Sequence, residues 1–348
     1  MKWVSGRASE WERVGEWERV ENDVIRDKYQ IFIDIKEKLK VNYIGIADED
    51  DEQFSSLITE NMSTKDEAKT SEESISTSTA ALIQAQTLVK SNLPVSVTLR
   101  KQFNINIPPT NHMEMMSCIK IGNKLIFTDL YNKRLNICNS DDTTINHIPV
   151  PYDSWFLTEV DSNTVSVSCI GKIIPIIDIS AGSITDAIRT NHPCLGIAYN
   201  DNNLYVVIEY RNIQVMDLTG KQIRTIPLPA DNIIDITVDR DRLVCIESVS
   251  IYCCSLDGKL IWKFENDKYH SLSGVTTDDD GNVYVINDKN HSVVVVCDNG
   301  KHYREILSES NGLNRPCGIY FDKQENVLLV CNYRGGEAFL FDVQKNNI

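Results

Sequence analysis

A β-rich triplet recurs six times along the chain: Leu125-Ile126-Phe127, Val165-Ser166-Val167, Leu204-Tyr205-Val206, Leu243-Val244-Cys245, Val283-Tyr284-Val285 and Val327-Leu328-Leu329. Measured between first residues, the steps are 40, 39, 39, 40 and 44. An acidic or Asn-rich turn precedes each triplet, as at Asp278-Asp279-Asp280-Gly281-Asn282. Ahead of that turn runs another apolar stretch, often opened by glycine: Gly196-Ile197, Gly274-Val275 and Gly318-Ile319. A third apolar run follows each triplet, and four of these runs close on Gly182, Gly220, Gly258 and Gly300. A fourth run comes next, as at residues 222–226 and 260–264. Four short strands at a period of about 40 residues are the mark of a propeller blade. One blade cannot bury both faces of its sheet. Six in a ring bury each face against a neighbour, with small residues where the inner strands crowd the axis. The fold class is therefore all-β, a six-bladed propeller.

The last repeat ends at Asp342 with six residues remaining, so its fourth strand is missing. The β-rich run at residues 97–107 belongs to no repeat. It is expected to supply that outer strand, which joins the two ends of the ring and removes two sheet edges. The propeller then spans residues 95–348, with blades at about 112–151, 152–190, 191–229, 230–266, 267–310 and 311–343.

Residues 1–94 have a different character. They carry 12 Lys and Arg against 19 Asp and Glu, or −7 of the chain's net −15. Glu10-Trp11-Glu12-Arg13-Val14 repeats as Glu16-Trp17-Glu18-Arg19-Val20, a pattern open between an aromatic docking motif and a translated non-coding stretch. Val24, Ile31, Ile35 and Leu39 suit one helix face, while Ile31, Ile33 and Ile35 also alternate as a strand would. Residues 59–79 are too polar to offset ordering entropy and read as a linker. A last short helix is expected over residues 79–90. The segment as a whole is read as a low-complexity, flexible acidic lead with short helices.

A pI near 4.9 argues against binding nucleic acid by bulk charge, though a local basic patch would survive it. No apolar run reaches the roughly 18 residues of a membrane helix, and no secretory pattern opens the chain. The ten cysteines all lie from Cys118 onward, and none forms a C-x-x-C pair. Cys169, Cys245, Cys297 and Cys331 sit inside apolar runs, as buried reduced thiols do. These features together point to a cytoplasmic location.

The best repeats, Pro316-Cys317-Gly318-Ile319 through Asn332, Gly274 through Gly300 and Pro193 through Gly220, resemble NHL repeats. The chain from about Val95 resembles the C-terminal propeller of molluscan proteins of the tripartite-motif (TRIM-NHL) type. The runs Gln102-Phe103-Asn104-Ile105-Asn106-Ile107-Pro108 and Phe339-Leu340-Phe341-Asp342 are especially close to that group. In that family a zinc-binding RING recruits the ubiquitin machinery and the propeller selects the target. Residues 1–117 hold no cysteine, so those zinc domains are not expected here. The resemblance implies a recognition module without catalytic residues or cofactor. Its protein target would serve ubiquitin-dependent turnover or innate-immune signalling in association with a RING-bearing relative.

In such a ring, the loops joining strands two and three share one face with the loops that lead into each inner strand. The first set carries Tyr131, Lys133, Arg134, Lys172, Tyr210, Arg211, Lys289, Tyr333 and Arg334, and Ser248 marks the blade without a cation. Trp155, His192 and Arg315 come from the incoming loops. Tyr and Arg dominate interface hot spots, so these twelve residues are the candidate partner-binding set. Acids at Asp129, Glu209, Glu247 and Asp288 leave the face mixed, which favours a protein partner over single-stranded RNA. The opposite face holds Asp161, Asp201, Asp239, Asp241, the run Asp278-Asp279-Asp280, Asp322 and Glu325 and reads as a solubilising surface.

A metal-dependent hydrolase or lyase is the remaining alternative. His112, His192 and His270 stand 13, 12 and 13 residues before Leu125, Leu204 and Val283, on alternate blades. Three such histidines could approximate a three-fold zinc site. A calcium-lactonase site would need several carboxylates or amides pointing into the channel; the inner strands offer few, Glu159 and Asp235 being the main candidates, and both also read as solvated or turn-paired acids.

Overall fold

The computed structural model describes residues 89–90, 93, 95–105, 113–140 and 145–345. All described residues belong to the unit Gln86–Ile348. The expected helix face at residues 24–39, the Trp repeat and the linker lie outside the described residues.

The unit Gln86–Ile348 is an all-β, six-bladed propeller. Each blade is an antiparallel sheet whose four strands lie in order from the inside out. The second strands begin at Lys124, Thr164, Asn203, Arg242, Val283 and Val327, within one residue of the sequence repeat. Among the described residues the only helical element is the 3-10 turn Glu309–Asn311.

Side-chain alternation explains the ring. Along Val327–Asn332, Leu328 and Val330 pack into the seam with blade 5, while Val327, Leu329 and Cys331 pack into the seam with blade 1. The same two-sided burial recurs in every blade, so a hydrophobic cluster fills each of the six seams. A fully buried Leu, Ile or Val is worth about 1.5–3 kcal/mol, so both faces of each sheet contribute to stability. All ten cysteines are buried, and none forms a disulfide.

The sixth blade closes with a strand from the other end of the chain. Val95–Asn104 pairs antiparallel with Glu337–Lys345, from Val95 opposite Lys345 to Asn104 opposite Glu337. Residues 106–107 of the expected closing strand lie outside the described residues. Arg100 fastens this seam by reaching Asp342 at 2.6 Å and Glu325 at 2.8 Å.

The expected helix at residues 79–90 needs correction at its end. Val89–Lys90 is a short strand, paired in parallel with His302–Tyr303 on the outer edge of blade 5. That outer strand has unpaired backbone groups, and a parallel neighbour satisfies them. A helix at this point would leave them to water.

Glycine is required where inner strands meet. A Cβ on Gly196 would lie 2.6 Å from the Cα of Asp235 in the next blade's inner strand. One on Gly318 would lie 2.6 Å from Cys331 Sγ and 2.9 Å from the backbone nitrogen of Cys118. Crowding at the axis therefore accounts for the glycine that opens these runs.

Candidate functional site

The loops joining second and third strands and the incoming loops are stitched together by backbone hydrogen bonds around the face. Met115 N–H donates to Tyr333 O at 2.9 Å, Val150 to Lys133 O at 2.8 Å, and Thr190 to Lys172 O at 2.9 Å. The pattern continues with Ile233 to Tyr210 O at 3.0 Å, Ser271 to Ser248 O at 2.6 Å and Tyr333 to Arg315 O at 2.9 Å. Several residues here have positive φ, including Lys133, Lys172, Glu209, Tyr210 and Arg315. Tight loops tied at both ends hold such backbone shapes and fix where their side chains emerge.

Nine of the twelve candidate residues separate into three groups by environment. Arg134, Trp155 and Tyr210 belong largely to the scaffold. The Arg134 guanidinium donates from Nε to the fully buried Asp129 at 3.0 Å, and Asn132 donates to the same carboxylate. Trp155 lies within the inner strand Ser154–Glu159, rather than in the incoming loop, and packs against the seams on both sides of blade 3. Tyr210 packs on the seam between blades 3 and 4.

A second group is exposed but ion-paired. Lys133 lies 3.3 Å from Asp153, and Arg211 lies 3.0 Å from Asp231. His192 Nδ1 lies 2.6 Å from Glu209 Oε1. Tyr131 and Lys289 are exposed on the same face, and Lys172 sits half-buried in its loop.

The third group is a stack. The guanidinium carbons of Arg315 and Arg334 lie 5.8 and 5.2 Å from the centre of the Tyr333 ring. Asp288 holds Arg315 at 3.3 Å, and Glu114 holds Arg334 at 3.1 Å. The backbone N–H of Arg315 donates to His291 Nδ1 at 2.8 Å. Burial and the neighbouring Glu114 carboxylate push the Tyr333 phenol up to about 12. Sequence reading missed Glu114, His291 and Asp231. Their only local signal is a polar residue within a loop, which many loops share.

The opposite face surrounds the mouth of a central funnel of about 420 Å³. Lys120 is the unexpected residue here. Its ammonium is nearly inaccessible and lies 2.6 Å from Asp322 and 2.7 Å from Glu325. Lys120 and Arg100, both bonded to its carboxylate, hold the Glu325 carboxyl below its ordinary range. Lys323 reaches across the mouth to Asp239 at 2.6 Å. Several acids read as solubilising turns are thus bound in ion pairs between blades. A lysine within Cys118-Ile119-Lys120-Ile121 was the available signal.

Glu159 and Asp235 both line the funnel, Glu159 half-buried and Asp235 buried. Tyr320 Oη donates to Glu159 Oε2 at 3.0 Å, and burial raises the Glu159 carboxyl above its ordinary value. Asp235 accepts from the Ile236 N–H at 2.8 Å and the Val275 N–H at 3.1 Å. Burial pushes its carboxyl up to about 7 despite both bonds. Removal from water penalises a carboxylate more than two neutral donors repay.

Of the three candidate zinc histidines, His192 pairs with Glu209, His270 is exposed in the loop leading to blade 5, and His112 lies outside the described residues. Among the described residues, no three His, Cys, Asp or Glu side chains gather into a metal-holding group. No helix among them is long and apolar enough to cross a membrane.

No protein-family profile and no curated protein matches the chain. Solved structures do. A protein of unknown function from Bacteroides thetaiotaomicron VPI-5482 superposes with a TM-score of 0.59 at 13% identity, over 72% of this chain and 76% of that one. Virginiamycin B lyase from Staphylococcus aureus gives 0.54 at 14%, over 71% and 99%. A streptogramin B lyase gives 0.51 at 15%, over 72% and 98%. At these identities, the likeness is one of propeller fold.

Proposed function

We propose that the chain is a protein-recognition propeller that docks its target on the Tyr and Arg loop face. The observation that carries this reading is the Arg315–Tyr333–Arg334 stack, set on loops already fixed by blade-to-blade hydrogen bonds. A pre-ordered aromatic flanked by guanidinium groups loses little entropy on binding and presents hot-spot chemistry. Exposed Tyr131, Arg211 and Lys289 extend the surface around the ring. The pairing of Lys133, Arg211, Arg315 and Arg334 with carboxylates favours a protein over RNA, since a phosphate backbone rewards uncompensated cations. By its resemblance to TRIM-NHL propellers, the bound target would be delivered to ubiquitin transfer by a RING-bearing partner.

The test is quantitative affinity capture from native cells with the full chain. Arg211→Glu, Arg315→Glu and Arg334→Glu are combined in one variant, and Arg134 is left intact because it holds Asp129. The reading expects a defined set of proteins to be lost from this variant and kept by Asp201→Asn on the other face. Equal capture by all three proteins would overturn it. Ultraviolet cross-linking that recovers RNA in place of protein would transfer the face to the RNA reading.

A further inference from the structure

The funnel on the acidic face is separate from the proposed docking surface. Strand pairing places Lys120, Glu159, Tyr199, Val238, Thr277 and Asp322 at one level of the channel. Each stands opposite the residue that opens its repeat triplet: Leu125, Val165, Leu204, Leu243, Val283 and Val327. Thr158, Thr237 and Thr276 lie one level deeper. Asp235 pairs with Ile246, three levels below the mouth ring. At about 3.3 Å per residue, Glu159 and Asp235 are separated by about 10 Å along the channel. Both line the same cavity.

The charges in this cavity are unequal in kind. Lys120 is neutralised by Asp322 and Glu325, and Lys323 by Asp239. Glu159 and Asp235 meet only neutral donors: a phenol for the first and two backbone N–H groups for the second. Among the described residues, neither is ion-paired. Asp161, Asp201 and Asp241 stand in exposed turns outside the funnel's lining. With both lysines paired, the charge left without a cationic partner in the cleft is negative, and such a cleft concentrates the opposite ion. A buried carboxylate gains most from a cation that replaces the water it has lost.

We propose that this funnel binds a slender linear polyamine, with one ammonium at Glu159, a second at Asp235, and the threonine hydroxyls between them accepting hydrogen bonds. An anion would meet the two uncompensated carboxylates, and an uncharged polyol would leave them uncompensated.

The experiment is calorimetric titration of the full chain with spermidine, on wild type, Glu159→Gln, Asp235→Asn and the rim control Asp201→Asn. Glu159→Gln keeps an acceptor for Tyr320, and circular dichroism melting of each variant verifies folding. The expected result is saturable binding of one spermidine per chain, weakened at least tenfold in both channel variants and unchanged in the rim control. Absence of saturable binding at millimolar spermidine would overturn the proposal. So would an equal loss in the rim control, which would mark a diffuse surface charge. Binding of erythritol as tight as spermidine, or displacement of spermidine by equimolar magnesium or calcium chloride, would also overturn it.

Discussion

The two faces of the ring use charge in opposite ways. On the loop face, the Arg211–Asp231 pair and the Arg334–Glu114 pair stand largely in water, with the cations 67% and 70% exposed. On the funnel face, Lys120 is 1% exposed and holds blades 1 and 6 together through Asp322 and Glu325. An exposed pair is worth about 0–1 kcal/mol and can exchange its partner at little cost. Breaking a buried pair strands a charge and costs about 3–5 kcal/mol. The proposed docking on the loop face draws on pairs that exchange readily, and the buried pairs of the funnel face hold blades 1 and 6 together.

Substitution at the funnel face should show the largest effect. Lys120→Met leaves Asp322 without its buried partner and should lower unfolding free energy by about 3–5 kcal/mol in urea titration. Stability unchanged to within about 1 kcal/mol would remove Lys120 from the closure account.

A somewhat smaller effect concerns pH. The Asp235 carboxyl titrates near 7 in the folded chain and near 4 when unfolded. The folded state therefore holds the proton across that window while the unfolded state releases it. Stability is fully present below about 4 and declines as pH rises through 7, by about 4 kcal/mol in all from this group, with about 2–3 kcal/mol of that between pH 5 and pH 8. The raised Glu159 carboxyl acts in the same direction. Urea midpoints at pH 5 and pH 8 should differ clearly in wild type and less in Asp235→Asn. An equal difference in both would show that Asp235 is solvated.

The smallest effects separate scaffold from display on the loop face itself. Arg134→Ala strips a guanidinium from the buried Asp129 and should cost about 1–3 kcal/mol. Arg334→Ala should cost less than about 0.5 kcal/mol while weakening partner capture. Thermal melting of the two variants side by side checks both values.

Much of the ring was legible in the sequence because each blade repeats the same local demands. The continuous apolar run in Val327–Asn332, the turn at Gly300 and the glycine at Gly196 are set by a strand's immediate surroundings. Closure was legible because the repeat arithmetic left one outer strand without a source. The side-chain chemistry was less legible. Lys120 and Asp322 are 202 residues apart in the chain, and nothing near either one shows the other. Arg134 and Arg334 both come from the connections between second and third strands, yet Arg134 opens its third strand and clamps a buried acid, while Arg334 stays in its loop and stacks on Tyr333. That difference depends on which acid each loop brings within reach. Val89–Lys90 became a strand because the edge of blade 5 accepts one, a condition set more than 200 residues downstream.

The most direct test of the division between faces is hydrogen–deuterium exchange of the full chain with and without its captured partner. Protection is expected at residues 130–134, 209–211, 288–291, 308–315 and 333–336, which form the loop face, with the funnel-mouth turns at 160–163, 201–202 and 323–326 unchanged. Protection confined to those three turns would contradict the assignment of recognition to the Tyr and Arg face.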